Sequence, residues 1–331
     1  MSDTSLSIVV LDGATLDPGD NPWDDISCQG DFALYPSTPP ELVLERAAKA
    51  DVVMTNKTLL PAAVLEKLPR CRYIGTLSTG YDVVDIAAAG RRGIPVSNVP
   101  GYGTESVAQF VMAQLLALTR RVELHDQLIR KGRWHECGEF TFWDTPQIEL
   151  SGKTFGVVGF GAIGRRTAEL ALAFGMRVVA HAPRPKDPIP GPGFSFAKLE
   201  ELFACADIVS LHCPLTDANA GFVNQRLLSL MPRGGYLINT ARGKLVNEAD
   251  LAQALVSGHL AGAALDVLGV EPPVADNPLL KAPNCLITPH MAWGSLAARK
   301  RLTRIAAQNL RAFLAGQPQN VVNADYLTET A

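Results

Sequence analysis

The chain has 331 residues, with 30 lysines and arginines against 33 acidic residues, for a formal charge of −3. That balance excludes a general nucleic-acid binder, which needs a basic surface to displace counterions, and 47% hydrophobic against 19% charged residues excludes a disordered chain. The length suggests two domains, each able to build a core without disulfide or metal staples. The cysteines, at 28, 71, 137, 205, 213 and 285, show no CxxC or zinc spacing and read as free thiols in a reducing compartment. The N-terminal segment carries acid where a signal peptide carries base, and no stretch approaches the ~20 apolar residues of a membrane span, so a cytosolic location is expected.

In chain order, short apolar runs alternate with stretches rich in Ala and Leu at helical spacing. Strands are predicted over 7–11, 51–54, 72–75 and 94–97, with helices between them over 41–49, 61–68 and 83–89. Further strands are predicted over 154–158, 177–181, 207–212, 235–239, 262–265 and 285–288, with helices over 162–174, 196–204 and 248–256. This alternation means βαβ units and parallel sheets. The runs 154–158 and 235–239 lack a period of two, as strands covered on both faces do. Two longer amphipathic segments, 104–131 and 293–316, lie at the seams; the first opens on Thr104-Glu105-Ser106, a capping cluster, and the second ends in a glycine. Read as helices connecting two sheets, they make the first domain discontinuous, residues 1–100 plus 291–331, and the second domain 101–290.

After the strand 154–158 comes Gly159-Phe160-Gly161-Ala162-Ile163-Gly164, a GxGxxG that opens an Ala-rich helix. In this context Gly159 permits the tight turn, Gly161 lets the backbone approach a pyrophosphate, and Gly164 lets helix and strand pack closely. Helix N–H groups beginning at Ala162 and Ile163 would face the phosphates. The next strand should end in a carboxylate if the cofactor is NAD; Ala182 stands there, followed by Arg184 and Lys186. Loss of the anion and gain of cations favour a 2′-phosphate, so NADP is the expected preference, with NAD the alternative.

Hydride transfer to a carbonyl needs a proton donor and a cation that holds the substrate. Of the six histidines, His125 falls on a polar helical face, His135 in an expected loop, and His259 reads as a helix C-terminal cap. His181 and His212 end strands. His290 lies where the strand 285–288 runs out at its carboxyl end, the edge at which open α/β sheets bind ligands. Arg242 follows the strand 235–239, and Asp266 and Glu271 follow the strand 262–265.

These segments together resemble the D-isomer-specific 2-hydroxyacid dehydrogenase family. The match rests on Ser78-Thr79-Gly80-Tyr81-Asp82, Asn98-Val99-Pro100-Gly101, the glycine turn, His212-Cys213-Pro214-Leu215-Thr216, Asn239-Thr240-Ala241-Arg242-Gly243, Asp266 to Glu271-Pro272, and Thr288-Pro289-His290. Phe142-Trp143-Asp144 and His290-Met291-Ala292-Trp293 are most similar to the glycerate dehydrogenase, or hydroxypyruvate reductase, branch. The resemblance implies a flavodoxin-like substrate domain and a Rossmann NAD(P)-binding domain with a cleft between them. It implies reduction of hydroxypyruvate or glyoxylate to the D-2-hydroxy acid, and the reverse oxidation. Arg242 would grip the substrate, His290 would protonate the carbonyl oxygen, and Glu271 would stabilise the imidazolium; an ordinary imidazole titrates near about 6.5 and a carboxylate neighbour favours its charged form. Ser78, Thr79 and Gly80 would meet the substrate carboxylate. Thr104, Cys213, Pro214, Thr240, Ala241 and Asp266 would lie against the cofactor. Members usually pair as homodimers through the cofactor domain, here through 116–131 and the arm 140–143. The alternatives are a dehydrogenase of another 2-hydroxy acid, or a corepressor-like protein that senses NAD(H) without catalysis.

Overall fold

The computed structural model describes residues 5–184 and 186–327. Residues 1–4 and 328–331 of the expected first domain, and Pro185 beside Arg184, lie outside the described residues. The chain falls into two compact units, Met1–Gly103 with Gly294–Ala331, and Thr104–Trp293.

The first unit is built on five parallel strands, β1 (Ser7–Val10), β2 (Asp31–Leu34), β3 (Val52–Thr55), β4 (Tyr73–Thr76) and β5 (Val96–Ser97), in the order β2-β1-β3-β4-β5. This is the flavodoxin-like order. On one face, Val9, Val53, Ile74 and Val96 pack with Leu60, Leu65, Ala88 and Ala89. The long helix Leu296–Leu314 belongs to this unit. Its Phe313 stacks on Tyr73 of β4, with ring centroids 4.7 Å apart, and its Asn309 donates to the Asn98 carbonyl. Ser295 caps the helix start by accepting from the Ala298 N–H, and Gly316, at φ 74°, follows its end. Beyond it the buried Asn323 accepts from Val96 N–H and donates to the Ile94 carbonyl, tying the tail to β5.

The second unit carries seven parallel strands: β6 (Thr154–Val158), β7 (Arg177–His181), β8 (Phe194–Phe196), β9 (Ile208–Leu211), β10 (Gly235–Asn239), β11 (Leu260–Leu265) and β12 (Cys285–Ile287). Their order, β12-β11-β10-β9-β6-β7-β8, reverses direction between β6 and β9, as in a Rossmann sheet. Neighbouring residues alternate between two cores: Val158, Leu237 and Ala263 join one, and Val157, Ile238 and Ala264 the other. Both faces of β6 and β10 are covered, which is why their sequences show no period of two.

Two strands fall outside the expected set. Both are edge strands: β2 is largely exposed and β8 has only three residues, so neither writes an apolar run. The expected 104–131 helix is broken into Thr104–Arg120 and Val122–Arg130. The Thr119 hydroxyl bonds back to the Leu115 carbonyl, the Thr119 carbonyl is taken by Ile148 N–H, and Arg121 turns left-handed at φ 48° while its guanidinium reaches Asn284. His135 sits not in a loop but on the short helix Arg133–Cys137. His259 does not cap the helix before it; after the turn at Gly258 its Nε2 donates to the Leu228 carbonyl, the end of a different helix.

Among the described residues no helix is long and apolar enough to cross a membrane, and no group of His, Cys, Asp or Glu is set to hold a metal. Asn323→Ala leaves Val96 N–H and the Ile94 carbonyl without their partner, and should lower stability by about 1–3 kcal/mol in urea unfolding.

Candidate active site

The register of the second sheet lines up its carboxyl ends. Val158 pairs with His181 and with Leu211, Leu211 with Asn239, Asn239 with Leu265, and Leu265 with Ile287. The residues that follow, Gly159, Ala182, His212, Thr240, Asp266 and Thr288, therefore form one row along the sheet's edge. Segments far apart in sequence reach one place because parallel pairing in register leaves them no other.

At the β6/β9 switch the three motif glycines do different work. A Cβ on Gly159, at φ 99°, would lie 2.5 Å from the Cys213 amide nitrogen, and one on Gly164 would lie 2.1 Å from the Gly159 carbonyl oxygen. Both are demanded by the protein's own packing. Gly161 has an ordinary extended backbone, and a Cβ there would meet nothing within 4 Å. The glycine that the fold does not need is thus the one whose backbone is open to a pyrophosphate. The helix Ala162–Ala173 starts beside it with no side-chain cap, so the N–H groups at its first turn are available to an anion. Ala162 is exposed and Ile163 half-buried at this turn, Thr104 opens its helix half-buried, and Pro214 is exposed beside Cys213. The Thr240 hydroxyl is buried with no partner among the described residues, a polar atom that a bound cofactor could satisfy. At the end of β7, Ala182 packs against the core and Arg184 is exposed. These features fit a dinucleotide.

The other end of the row carries the charged groups. Asn239, 1% exposed, accepts from Ala241 N–H and donates to the Arg242 carbonyl, folding the loop that presents Arg242. Asp266, also 1% exposed, accepts from the Thr288 hydroxyl at 2.6 Å and from the N–H groups of Met291 and Ala292 at 2.9 and 2.8 Å. Burial nevertheless pushes its carboxyl above the ordinary range, the three donors opposing. These bonds wrap the chain around Asp266 and leave His290 at φ 53°, a left-handed backbone that costs about 1–2 kcal/mol for a residue with a side chain. His290 Nδ1 lies 2.7 Å from Glu271 Oε2 and donates to it, while Glu271 Oε1 accepts from Leu268 N–H. Nε2 is thereby left on the far side of the ring.

Ser78, Thr79 and Gly80 follow β4 in the first unit. Ser78 donates to the Gly80 carbonyl within its own loop, and Thr79 donates to the Val99 carbonyl of the loop after β5, so both hydroxyls are taken by backbone carbonyls.

The segment 112–292 matches the family model of the D-isomer specific 2-hydroxyacid dehydrogenase NAD binding domain. A hydroxypyruvate reductase of Blautia hydrogenotrophica is 44% identical over 96% of this chain and the whole of that protein. A glycerate dehydrogenase of Methylorubrum extorquens is 39% identical over 89% of this chain and 92% of its own. The chain belongs to the D-isomer-specific 2-hydroxyacid dehydrogenase family. Among solved structures, an NADPH-dependent glyoxylate/hydroxypyruvate reductase of Sinorhizobium meliloti, in complex with NADP and malonate, superposes with a TM-score of 0.79 at 29% identity, covering 94% of each chain.

The protein is thus an oxidoreductase with a nicotinamide cofactor, and the remaining histidines of this dehydrogenase can be sorted by their partners. His181 donates from Nδ1 to the Ala197 carbonyl, and His125 from Nδ1 to the Arg121 carbonyl. The His212 ring bonds Ser210, and although part of the residue's surface is exposed, burial of the ring holds it well below the usual imidazole range. Burial therefore disfavours the imidazolium form that a general acid requires. Burial pushes the Cys213 thiol up to about 11, so it is no nucleophile. Sequence reasoning assigned no role to Asn239 or Thr288; their signal was a polar residue closing an otherwise apolar strand. The glycines give a test. Gly161→Ala should keep the parent melting temperature and raise the cofactor KM by about tenfold or more, whereas Gly164→Ala should lower the melting temperature.

Proposed function

We propose that this dehydrogenase reduces hydroxypyruvate and glyoxylate to D-glycerate and glycolate, and runs the reverse oxidation, with NADPH preferred over NADH. The observation that carries the reading is the 2.7 Å contact between His290 Nδ1 and Glu271. A carboxylate only accepts, so the proton on Nδ1 is fixed and Nε2 is the nitrogen that exchanges a proton with substrate. The cofactor supplies the hydride. Arg242 receives the substrate carboxylate and carbonyl oxygen, its planar fork matching them. His290 Nε2 gives its proton to that oxygen, and Glu271 orients the ring by accepting from Nδ1. In oxidation Nε2 takes the hydroxyl proton. To the Ser78–Gly80 backbone we assign recognition of an anionic group of the substrate. Asp266 and Ala241 are assigned to the cofactor side, with Thr240 as a hydrogen-bonding hydroxyl.

The coenzyme preference rests on Ala182 where a ribose-binding carboxylate would stand and on the exposed Arg184 and Lys186 after it. The same preference is named for the Sinorhizobium meliloti reductase. The homodimer rests on an apolar surface: Val122, Ile129, Trp134, Phe140 and Trp143 are 68%, 42%, 47%, 87% and 65% exposed within one stretch of chain. Trp143→Asp with Phe140→Asp should give a monomer by light scattering.

Steady-state rates with hydroxypyruvate, glyoxylate, pyruvate and 2-ketoglutarate against both coenzymes test the substrate and cofactor assignments; a higher kcat/KM with NADH would overturn the second. His290→Asn should lower kcat by about 10²–10⁴-fold. In Glu271→Gln the alkaline fall of reductive activity should move about one pH unit lower, because the imidazolium loses its anion; an unmoved profile removes Glu271 from its role.

A further inference from the structure

Glu248 opens the helix Glu248–Val256, whose start is already capped by the Asn247 side chain accepting from Ala249 and Asp250 N–H. Glu248 spends its carboxylate elsewhere. Oε1 accepts the Gly269 N–H at 2.7 Å and Oε2 accepts from Asn277 Nδ2 at 2.9 Å. Asn277 is 4% exposed and holds the far end of the same loop, its Oδ1 accepting from Leu279 N–H. One carboxylate thus clamps the loop after β11 at both ends. Every residue between, from Val270 to Asp276, is exposed, so the loop has no apolar side chain of its own sunk into a core. Glu271 lies inside this span. The peptide under the clamp is also backed from the other side: a Cβ on Gly243, next to Arg242, would lie 1.9 Å from the Leu268 carbonyl carbon.

We propose that Glu248 is a positioning residue that holds the Glu271 carboxylate against His290 and so sets the pH range over which the site delivers its proton. The inference rests on the reading of Glu271 and His290 given above. Of the charged groups at these strand ends, Glu271 and Asp266, on the loop after β11, bear on His290, and Arg242 lies on the loop after β10. Glu248 hydrogen-bonds none of them, so it acts either through the loop's position or through its own charge at a distance. Glu248→Gln removes the charge and keeps an oxygen for Gly269 N–H, but sets its amide nitrogen, a donor, against the Asn277 Nδ2 donor; adding Asn277→Asp restores an acceptor there. Glu248→Ala removes charge and oxygens alike.

The test compares the pH dependence of kcat/KM, and the titration of the His290 imidazole followed by NMR, in the parent, Glu248→Gln, Glu248→Ala, Glu271→Gln and the Glu248→Ala/Glu271→Gln double variant. Glu248→Ala should move the alkaline limb and the His290 midpoint toward lower pH, in the direction of Glu271→Gln and by most of its displacement of about one unit. Glu248→Gln combined with Asn277→Asp, compared in the same way, should return toward the parent behaviour relative to Glu248→Gln alone, and the Glu248→Ala/Glu271→Gln variant should match Glu271→Gln alone. A parent-like profile in Glu248→Ala, no return toward the parent when Asn277→Asp is added to Glu248→Gln, or shifts that add in the Glu248→Ala/Glu271→Gln variant would each overturn the inference while leaving Glu271 its role. No shift in Glu271→Gln would overturn both. If Glu248→Ala fails to fold, Asn277→Asp keeps the cap on Leu279 and sets a second carboxylate against Glu248; it must shift the profile the same way, and a parent-like profile there rejects the clamp.

Discussion

A buried carboxylate organises the charged end of the second sheet. Asp266 stands at the end of β11 almost without solvent, and a carboxylate in that setting is costly unless its oxygens are filled. Thr288, Met291 and Ala292 fill them. These hydrogen bonds offset part of the cost of burying the charge, and the same turn of the chain holds His290 left-handed. The strained residue and the buried anion explain one another: the chain can satisfy Asp266 only by turning sharply where His290 sits.

Two acidic residues five positions apart thereby take opposite parts. Asp266 turns inward and is consumed by the backbone around it. Glu271 lies in an exposed loop, with a side chain 38% accessible, and directs one oxygen at His290 and the other at the Leu268 N–H. In its proposed role Glu271 has to be held without being neutralised, and the exposed loop that carries it is tied down at Gly269 and Asn277. Arg242 belongs to the same assembly through Gly243, which lets its loop rest on the Leu268–Gly269 peptide where any side chain would collide.

The glycine turn shows the same division at the other end of the row. Gly159 and Gly164 serve contacts inside the protein, and Gly161 serves none. An identical residue type in a three-glycine motif thus answers to the protein's own packing at two positions and to open space at the third, a distinction that the letters of the motif do not contain.

Much of this was legible in the linear chain. The strands were readable where both faces are covered, because parallel sheets write continuous apolar runs, and the expected strands occur with ends displaced by no more than two residues. The order of motifs identified the family, and GxGxxG between a strand and a helix pointed to the cofactor. The resemblance anticipated the pairing of Glu271 with His290, but other contacts between residues distant in sequence escaped: the edge strands β2 and β8, the helix break at Arg121 made by Ile148 and Asn284, the aim of His259, and the clamp from Glu248. Local pattern reports how a segment meets water and how its backbone bends, and that sufficed for the class of fold and for the residue types of the site. Which carboxylate is buried, which faces the imidazole and which ring nitrogen stays open were decided only when parallel pairing brought the ends of β10, β11 and β12 side by side, since hydrogen bonds form between neighbours in space whatever their separation along the chain.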